Sequence, residues 1–365
     1  MLPTTVTTCS KLLISKRSIN YLVSALPKPE QIEQDKPKRR IKKPVVKRLK
    51  LNDFMKQIIK PDELNKIFQG SDYAPFTGSQ AKKAQDFFNL NKPQLEWTLA
   101  EYEEIPDVKY ARLVKERKES YDRMDPINKT DYQKSLMMSK KTFGIPGLYL
   151  KPFPEVLFLG HTNVGKSSLI NSLVTRGKSE KVTDVAYVSS RAGFTKTLNC
   201  FNIGNKLRLM DSPGYGKFGD IQQGEMVTDY ISRRHLLKRV FLLIDSVEGF
   251  RHEDLTILNH LVEEGVQFDI VFTKTDVVIE KHMPPKKKFT TVASREEDEK
   301  LLASIKNGNE KVIAHYNEII NGTVLGSMTL FSRFLFTNAG TNKHIVQEYG
   351  KKELRCVVLE TCALL

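Results

Sequence analysis

From residue 155 onward the chain alternates short apolar runs with longer segments of helical spacing. The runs are Glu155–Leu159, Leu198–Ile203, Leu207–Met210, Val240–Ile244, Phe268–Phe272 and Phe334–Phe336. Short continuous apolar runs suit strands buried on both faces. Strand-then-helix alternation predicts an α/β domain, with a mainly parallel six-stranded sheet and helices on both faces. Residues 278–300 break the rhythm with a Pro-Pro pair, a Lys run and an acidic run, and read as an exposed loop. No internal repeat is apparent. No apolar run approaches the ~20 residues that cross a membrane as a helix.

Before residue 151 the pattern fades. Residues 51–150 are polar, with helical patches at Asp53–Lys60 and Lys109–Asp122 and punctuation by Pro61, Pro75, Pro93, Pro106 and Pro126. They read as a largely helical or disordered N-terminal extension without chemistry of its own. The pattern thus divides the chain into residues 1–50, the extension 51–150, the α/β domain 151–350 and a tail 351–365.

Charge changes the picture at the N-terminus. The formal net charge is +15, but 13 Lys/Arg against 3 Asp/Glu fall within residues 1–50. About two thirds of the net charge therefore sits there, and the rest of the chain is only mildly basic. The first acidic residue is Glu30, and Leu12, Ile19, Leu22, Val23 and Leu26 fit one helix face. A basic, hydroxyl-rich, acid-poor, amphipathic leader is the composition of a mitochondrial transit peptide; an ordinary disordered tail is the bland alternative. Residues 36–50 hold nine basic residues and no acidic one. Such a run suits phosphate contacts with RNA, a nuclear import signal or a solvated linker. It contains no aromatic residue for stacking on bases. Cys9, Cys200, Cys356 and Cys362 show no Cys-x-x-Cys spacing, which argues against a zinc ribbon or a disulfide framework.

Four motifs carry chemistry, in a telling order. The first is Gly160, His161, Thr162, Asn163, Val164, Gly165, Lys166, Ser167 and Ser168, matching G-x-x-x-x-G-K-S/T between a strand and a helix. Its glycines let backbone N–H groups turn inward on phosphate oxygens, and the following helix adds its positive end. Lys166 is expected to reach the β- and γ-phosphates, and the Ser167 hydroxyl to ligate Mg²⁺. The second is Asp211, Ser212, Pro213 and Gly214 after the strand KLRLM. Asp211 is expected to hold Mg²⁺ through a water, and Gly214 to offer its N–H to the γ-phosphate. The third is Thr273, Lys274, Thr275 and Asp276, after FDIVF. Asp276 would accept from the ring N–H and exocyclic amine of guanine, a donor pair that adenine lacks. Lys274 would lay its stem over the base. The fourth is Thr195, with Gly193 and Phe194 before it, in a polar loop. Its hydroxyl would reach Mg²⁺ and its N–H the γ-phosphate, ordering the loop only around a triphosphate. Thr337, Asn338 and Ala339, after RFLF, add a weaker expectation of backbone support for guanine.

These residues resemble the EngB (YihA) family of GTPases over roughly residues 154–345. The family's loop Gly-Arg-Ser-Asn-Val-Gly-Lys-Ser-Ser-Leu-Ile-Asn appears as GHTNVGKSSLIN, and its Asp-Leu-Pro-Gly-Tyr-Gly as Asp211–Gly216. Its Pro-Gly-Arg-Thr-Gln appears as Ala192-Gly193-Phe194-Thr195-Lys196, its Thr-Lys-x-Asp as TKTD, and its Phe-Ser-Ser as FTN. His161 and Phe194 stand where the family has Arg, and Lys196 where it has Gln. The resemblance implies Mg²⁺-dependent hydrolysis of GTP, with Lys166 and Thr195 in the catalytic machinery. It also implies a monomer that assists assembly of the large ribosomal subunit through ribosomal RNA or a pre-ribosomal particle. With the leader, that ribosome is the mitochondrial one, in the matrix. Tyr215 stands where Ras-like enzymes keep a water-orienting Gln, which predicts slow turnover without a partner. The alternatives are an RNA-binding scaffold with little hydrolysis, a nuclear protein, and a prenylated GTPase on the cytosolic membrane face, since Cys362-Ala-Leu-Leu365 fits a prenylation box.

Overall fold

Among the described residues, seven strands, not six, form the sheet. They are β1 (Pro93–Leu99), β2 (Glu155–Gly160), β3 (Leu198–Ile203), β4 (Leu207–Asp211), β5 (Leu237–Asp245), β6 (Phe268–Thr273) and β7 (Phe334–Phe336), in the order β1-β3-β4-β2-β5-β6-β7. This computed structural model describes residues 50–70, 73–139, 143–175, 197–216, 221–285, 294–326 and 332–365. The helices among them are α1 (Leu51–Gln57), α2 (Pro61–Ile67), α3 (Gly78–Leu90), α4 (Pro106–Arg123), α5 (Asp131–Met138), α6 (Lys166–Val174), α7 (Ile221–Arg233), α8 (His252–Glu263), α9 (Thr275–His282), α10 (Arg295–Asn321) and α11 (Lys351–Thr361).

The six apolar runs all become strands, and β4, β2, β5, β6 and β7 run parallel. β3 is antiparallel to β4, and the additional strand β1 pairs antiparallel with β3 at the sheet edge. β1 comes from the extension. Its sequence PQLEWTL exposes most of its positions, so no apolar run announces it. Pro93 is tolerated because it opens an edge strand, where a missing donor costs least.

Side chains alternate across the sheet. Leu157 and Leu159 face one core with Phe54, Ile58, Leu64, Tyr230 and Tyr316, while Val156 and Phe158 face the other with Phe88, Ile170, Leu173 and Val357. The extension thus helps to cover both faces. Local signals explain its helices. Pro61 sits in the first turn of α2, and Thr77 caps α3 by accepting from Gln80 N at 3.3 Å. Polar contacts tie it to distant segments. Ile59 N donates to Asn309 Oδ1 at 3.0 Å, Phe336 N to Asn65 Oδ1 at 2.6 Å and Gly350 N to Asp62 Oδ1 at 2.8 Å.

A buried ionic network crosses the same boundary. Glu155, fully buried on β2, accepts from Arg208 at 3.2 Å and from Arg234 at 2.6 and 2.7 Å, and also from the Tyr230 hydroxyl. Arg208 reaches on to Glu96 of β1 at 2.7 Å, and Arg234 to Asp107 of α4 at 2.7 Å.

Two further expectations change. Residues 278–300 are not one exposed loop. Val278 and Ile279 are buried on α9, Met283 follows them into the core, and Ser294 caps the start of α10. Residues 286–293 lie outside the described residues. After residue 350 the chain forms α11, whose Leu354, Val357 and Leu359 are buried against the sheet. Cys362 is buried too, its thiol pushed up to about 12 by burial, and Leu364 and Leu365 pack on the same core. A thiol in that position opposes the prenylated reading, because transferases need an accessible C-terminal segment. No helix among the described residues is long and apolar enough to cross a membrane.

Candidate nucleotide site

The site forms at the carboxyl ends of β2, β4, β5, β6 and β7, where ligands bind in open α/β sheets. β2 delivers the loop 160–165. Asn163 and Gly165 take left-handed φ of 64° and 104°, turning the loop back over the head of α6. Gly165 makes that conformation cheap directly before the helix begins at Lys166. The loop therefore ends on an exposed set of helix N–H groups with a positive dipole end.

Lys166 is buried. Its Nζ donates to Gly160 O at 2.8 Å and His161 O at 3.2 Å. Burial pulls its pKa down to about 8, against the opposing pull of Asp211. Ser167 Oγ donates to Asp211 Oδ2 at 2.9 Å. Asp211, at the end of β4, is buried and pushed up to about 6 by desolvation. Its Oδ1 is buried with no hydrogen-bond partner among the described residues. An orphaned carboxylate oxygen beside a serine hydroxyl fits a small hard cation that takes few protein oxygens and keeps waters and phosphates as its other ligands.

The segment 273–276 meets the loop directly. Thr273 Oγ1 donates to Val164 O at 2.7 Å. Lys274 is held left-handed at φ 55°, and its Nζ lies 2.6 Å from Asp245 Oδ2. That contact holds the lysine beside the loop, where it lines a cleft with Asn163, Val164 and Asp245. Asp276 is mostly buried on α9, and desolvation raises its pKa. The motif at 337–339 joins it. Thr275 donates to Thr337 O from N at 3.3 Å and from Oγ1 at 3.0 Å. Asn338 is buried and pins its own loop, donating to Gly340 O at 2.6 Å and Gln347 O at 3.0 Å, while Ala339 is exposed. A further residue, Asn342, donates to Asp276 O at 2.6 Å.

The fold thus brings together the segments 160–168, 211–214, 273–276 and 337–339. Gly193, Phe194 and Thr195 lie outside the described residues. Sequence reasoning missed Asp245 and Asn342. Asp245 carried a signal, an acid closing an apolar run, whereas Asn342 gains a role only through its tertiary contact.

A family model described as 50S ribosome-binding GTPase matches residues 155–274. The chain is 31% identical over 338 residues to MIOREX complex component 8 of Saccharomyces cerevisiae, covering 92% of this chain and 90% of that protein. It is 40% identical over 136 residues to the probable GTP-binding protein EngB of Wolbachia pipientis wMel. That match spans 36% of this chain and 66% of the bacterial protein, slightly under two thirds of its length. Among solved structures, Era in complex with MgGDPNP and nucleotides of 16S ribosomal RNA aligns with 57% of this chain and 56% of that one, at 22% identity and a TM-score of 0.36.

Proposed function

Because the chain belongs to the EngB family of GTPases, we propose that it is a Mg²⁺-dependent guanine-nucleotide switch that assists assembly of the large subunit of the mitochondrial ribosome. The observation that carries the nucleotide reading is the convergence of Lys166, Ser167 and Asp211 with Asp276 around one loop, locked by the Thr273–Val164 hydrogen bond. Support for the setting is the acid-poor leader and the yeast relative, a MIOREX complex component.

In this reading the N–H groups of Asn163 to Ser168 bind the α- and β-phosphates, and Lys166 turns its ammonium from the loop carbonyls to the β- and γ-phosphates. Ser167 and Thr195 would hold Mg²⁺, with Asp211 holding it through a water, and the ion would supply charge stabilisation at the reacting phosphates. Gly214 offers its N–H to the γ-phosphate. Asp276 accepts from guanine, Lys274 covers the ring, and Thr337 to Ala339 back it. Tyr215 cannot orient a water as glutamine does, so hydrolysis is slow until a partner contributes.

Nucleotide competition tests the guanine assignment. GTP is expected to displace a fluorescent GDP at concentrations where ATP has no effect. Asp276→Asn should weaken GTP binding on the order of 100-fold, since a site built for two donors rejects a ligand that leaves its polar atoms unpaired, and should favour xanthosine nucleotides instead. Equal competition by ATP and GTP in the wild type would sink the role given to Asp276.

A further inference from the structure

Tyr215 follows the 211–214 turn, and its hydroxyl donates to Asp254 Oδ1 at 2.5 Å. Asp254 lies in the first turn of α8, where its other oxygen accepts from Arg251 N at 2.8 Å. The carboxylate is therefore held from two sides and buried. Arg251 in turn places Nη1 2.8 Å from His161 Nδ1. His161 pairs with Tyr215 as an isolated parallel bridge, and the Tyr215 carbonyl accepts from Thr162 N at 3.0 Å and Thr162 Oγ1 at 2.8 Å. The contacts close a ring: phosphate loop, turn, α8 and back to the loop.

The ring has a steric result. It presses Gly214 onto the loop so closely that a Cβ there would meet Thr162 Cα at 2.9 Å and Lys166 Nζ at 3.1 Å. Two donors that share a phosphate group each stand ~2.8 Å from its oxygens, so they lie roughly 5 Å or more apart across it. A terminal phosphate that takes both the Lys166 amine and the Gly214 N–H therefore enters as the ammonium leaves the Gly160 and His161 carbonyls and the turn parts from Thr162. A diphosphate, which ends short of Gly214, needs no such parting.

We propose that Asp254 is a positioning residue that sets the discrimination between diphosphate and triphosphate. Through the Tyr215 hydroxyl it holds the Gly214 turn shut across the place of the terminal phosphate. Triphosphate binding breaks the Tyr215–Asp254 hydrogen bond and swings the turn outward; diphosphate binding leaves it intact. The inference rests on the role given to Gly214 above. A ligand moves such an equilibrium only by its differential affinity for the two arrangements, so the latch weakens triphosphate binding selectively.

The test measures the affinities of the full chain for fluorescent GDP and for a non-hydrolysable GTP analogue, with Mg²⁺ in both. Tyr215→Phe removes the hydroxyl and leaves the ring, the α8 cap and every phosphate contact. The affinity ratio of analogue to GDP should rise on the order of tenfold, the scale of one hydrogen bond to a charged acceptor. Asp254→Ala should shift the ratio in the same direction. The double variant should add little to either single one, because both break one contact. A merely structural role would weaken both nucleotides together and leave the ratio unchanged. A ratio in Tyr215→Phe within twofold of wild type, or single effects that multiply in the double variant, overturns the proposal. Failure of the wild type to bind either nucleotide is a separate result that overturns the site reading and the latch with it.

Discussion

Asp211 shows how a residue proposed to bind a cation carries a folding cost. Its carboxylate is buried, one oxygen lacks a partner, and desolvation pushes its pKa up to about 6. The unfolded value is near 3.9. A group whose folded pKa is raised favours folding while protonated; that contribution is full below about pH 4 and lost as pH rises through about 6. Asp211→Asn, which still accepts from Ser167, should therefore stabilise the protein at pH 7 by about 1–3 kcal/mol in urea melts with EDTA and no nucleotide. The gain should vanish near pH 4, and Mg²⁺-dependent nucleotide binding should weaken. A variant less stable than wild type at pH 7 contradicts this account. Lys166 gives the complementary case. Lys166→Ala removes a buried ammonium that burial already disfavours, so it should fold at least as well while binding GTP about 100-fold or more weakly in titration calorimetry. These residues were legible because each motif is short and local. Asp254 and Asn342 were not, since their partners lie 39 residues away at Tyr215 and 66 away at Asp276.

At the scale of elements, the six strands were legible because a strand covered on both faces has to be continuously apolar. β1 was not, because an edge strand needs only occasional buried positions. Pro93 and Trp97 supply them, and the remainder of PQLEWTL is exposed or partly so. In the structure Glu96 on β1 and Asp107 on α4 complete the network around Glu155, contacts that no local pattern announces. That network is a liability when incomplete. Glu155→Ala leaves Arg208 and Arg234 buried without their central partner, and should cost about 3–5 kcal/mol in urea unfolding. A loss under about 1 kcal/mol would show that Glu96 and Asp107 alone satisfy both guanidiniums. The α9–α10 region was misread for a related reason. The sequence there looks like a loop by composition, yet Val278, Ile279 and Met283 bury themselves, and only its middle carries the Pro-Pro and Lys signals.

For the whole molecule, residues 48–365 form one compact unit, with an extension that builds a sheet edge and covers both faces of the α/β domain. Residues 1–47, which carry about half of the chain's net positive charge, lie outside the described residues. The described residues bring Lys166, Ser167 and Asp211 together with the 273–276 segment around one loop, and Tyr215 stands where the proposed reaction needs a water-orienting side chain. A switch of that proposed design is expected to turn over slowly alone and quickly on its target. Phosphate release from GTP by the purified chain, with and without large-subunit particles from mitochondria, tests this most directly. Slow release alone, raised at least about tenfold by the particles and absent with ATP, is the predicted result. Fast multiple turnover by the isolated protein, or a rate the particles leave unchanged, would contradict it.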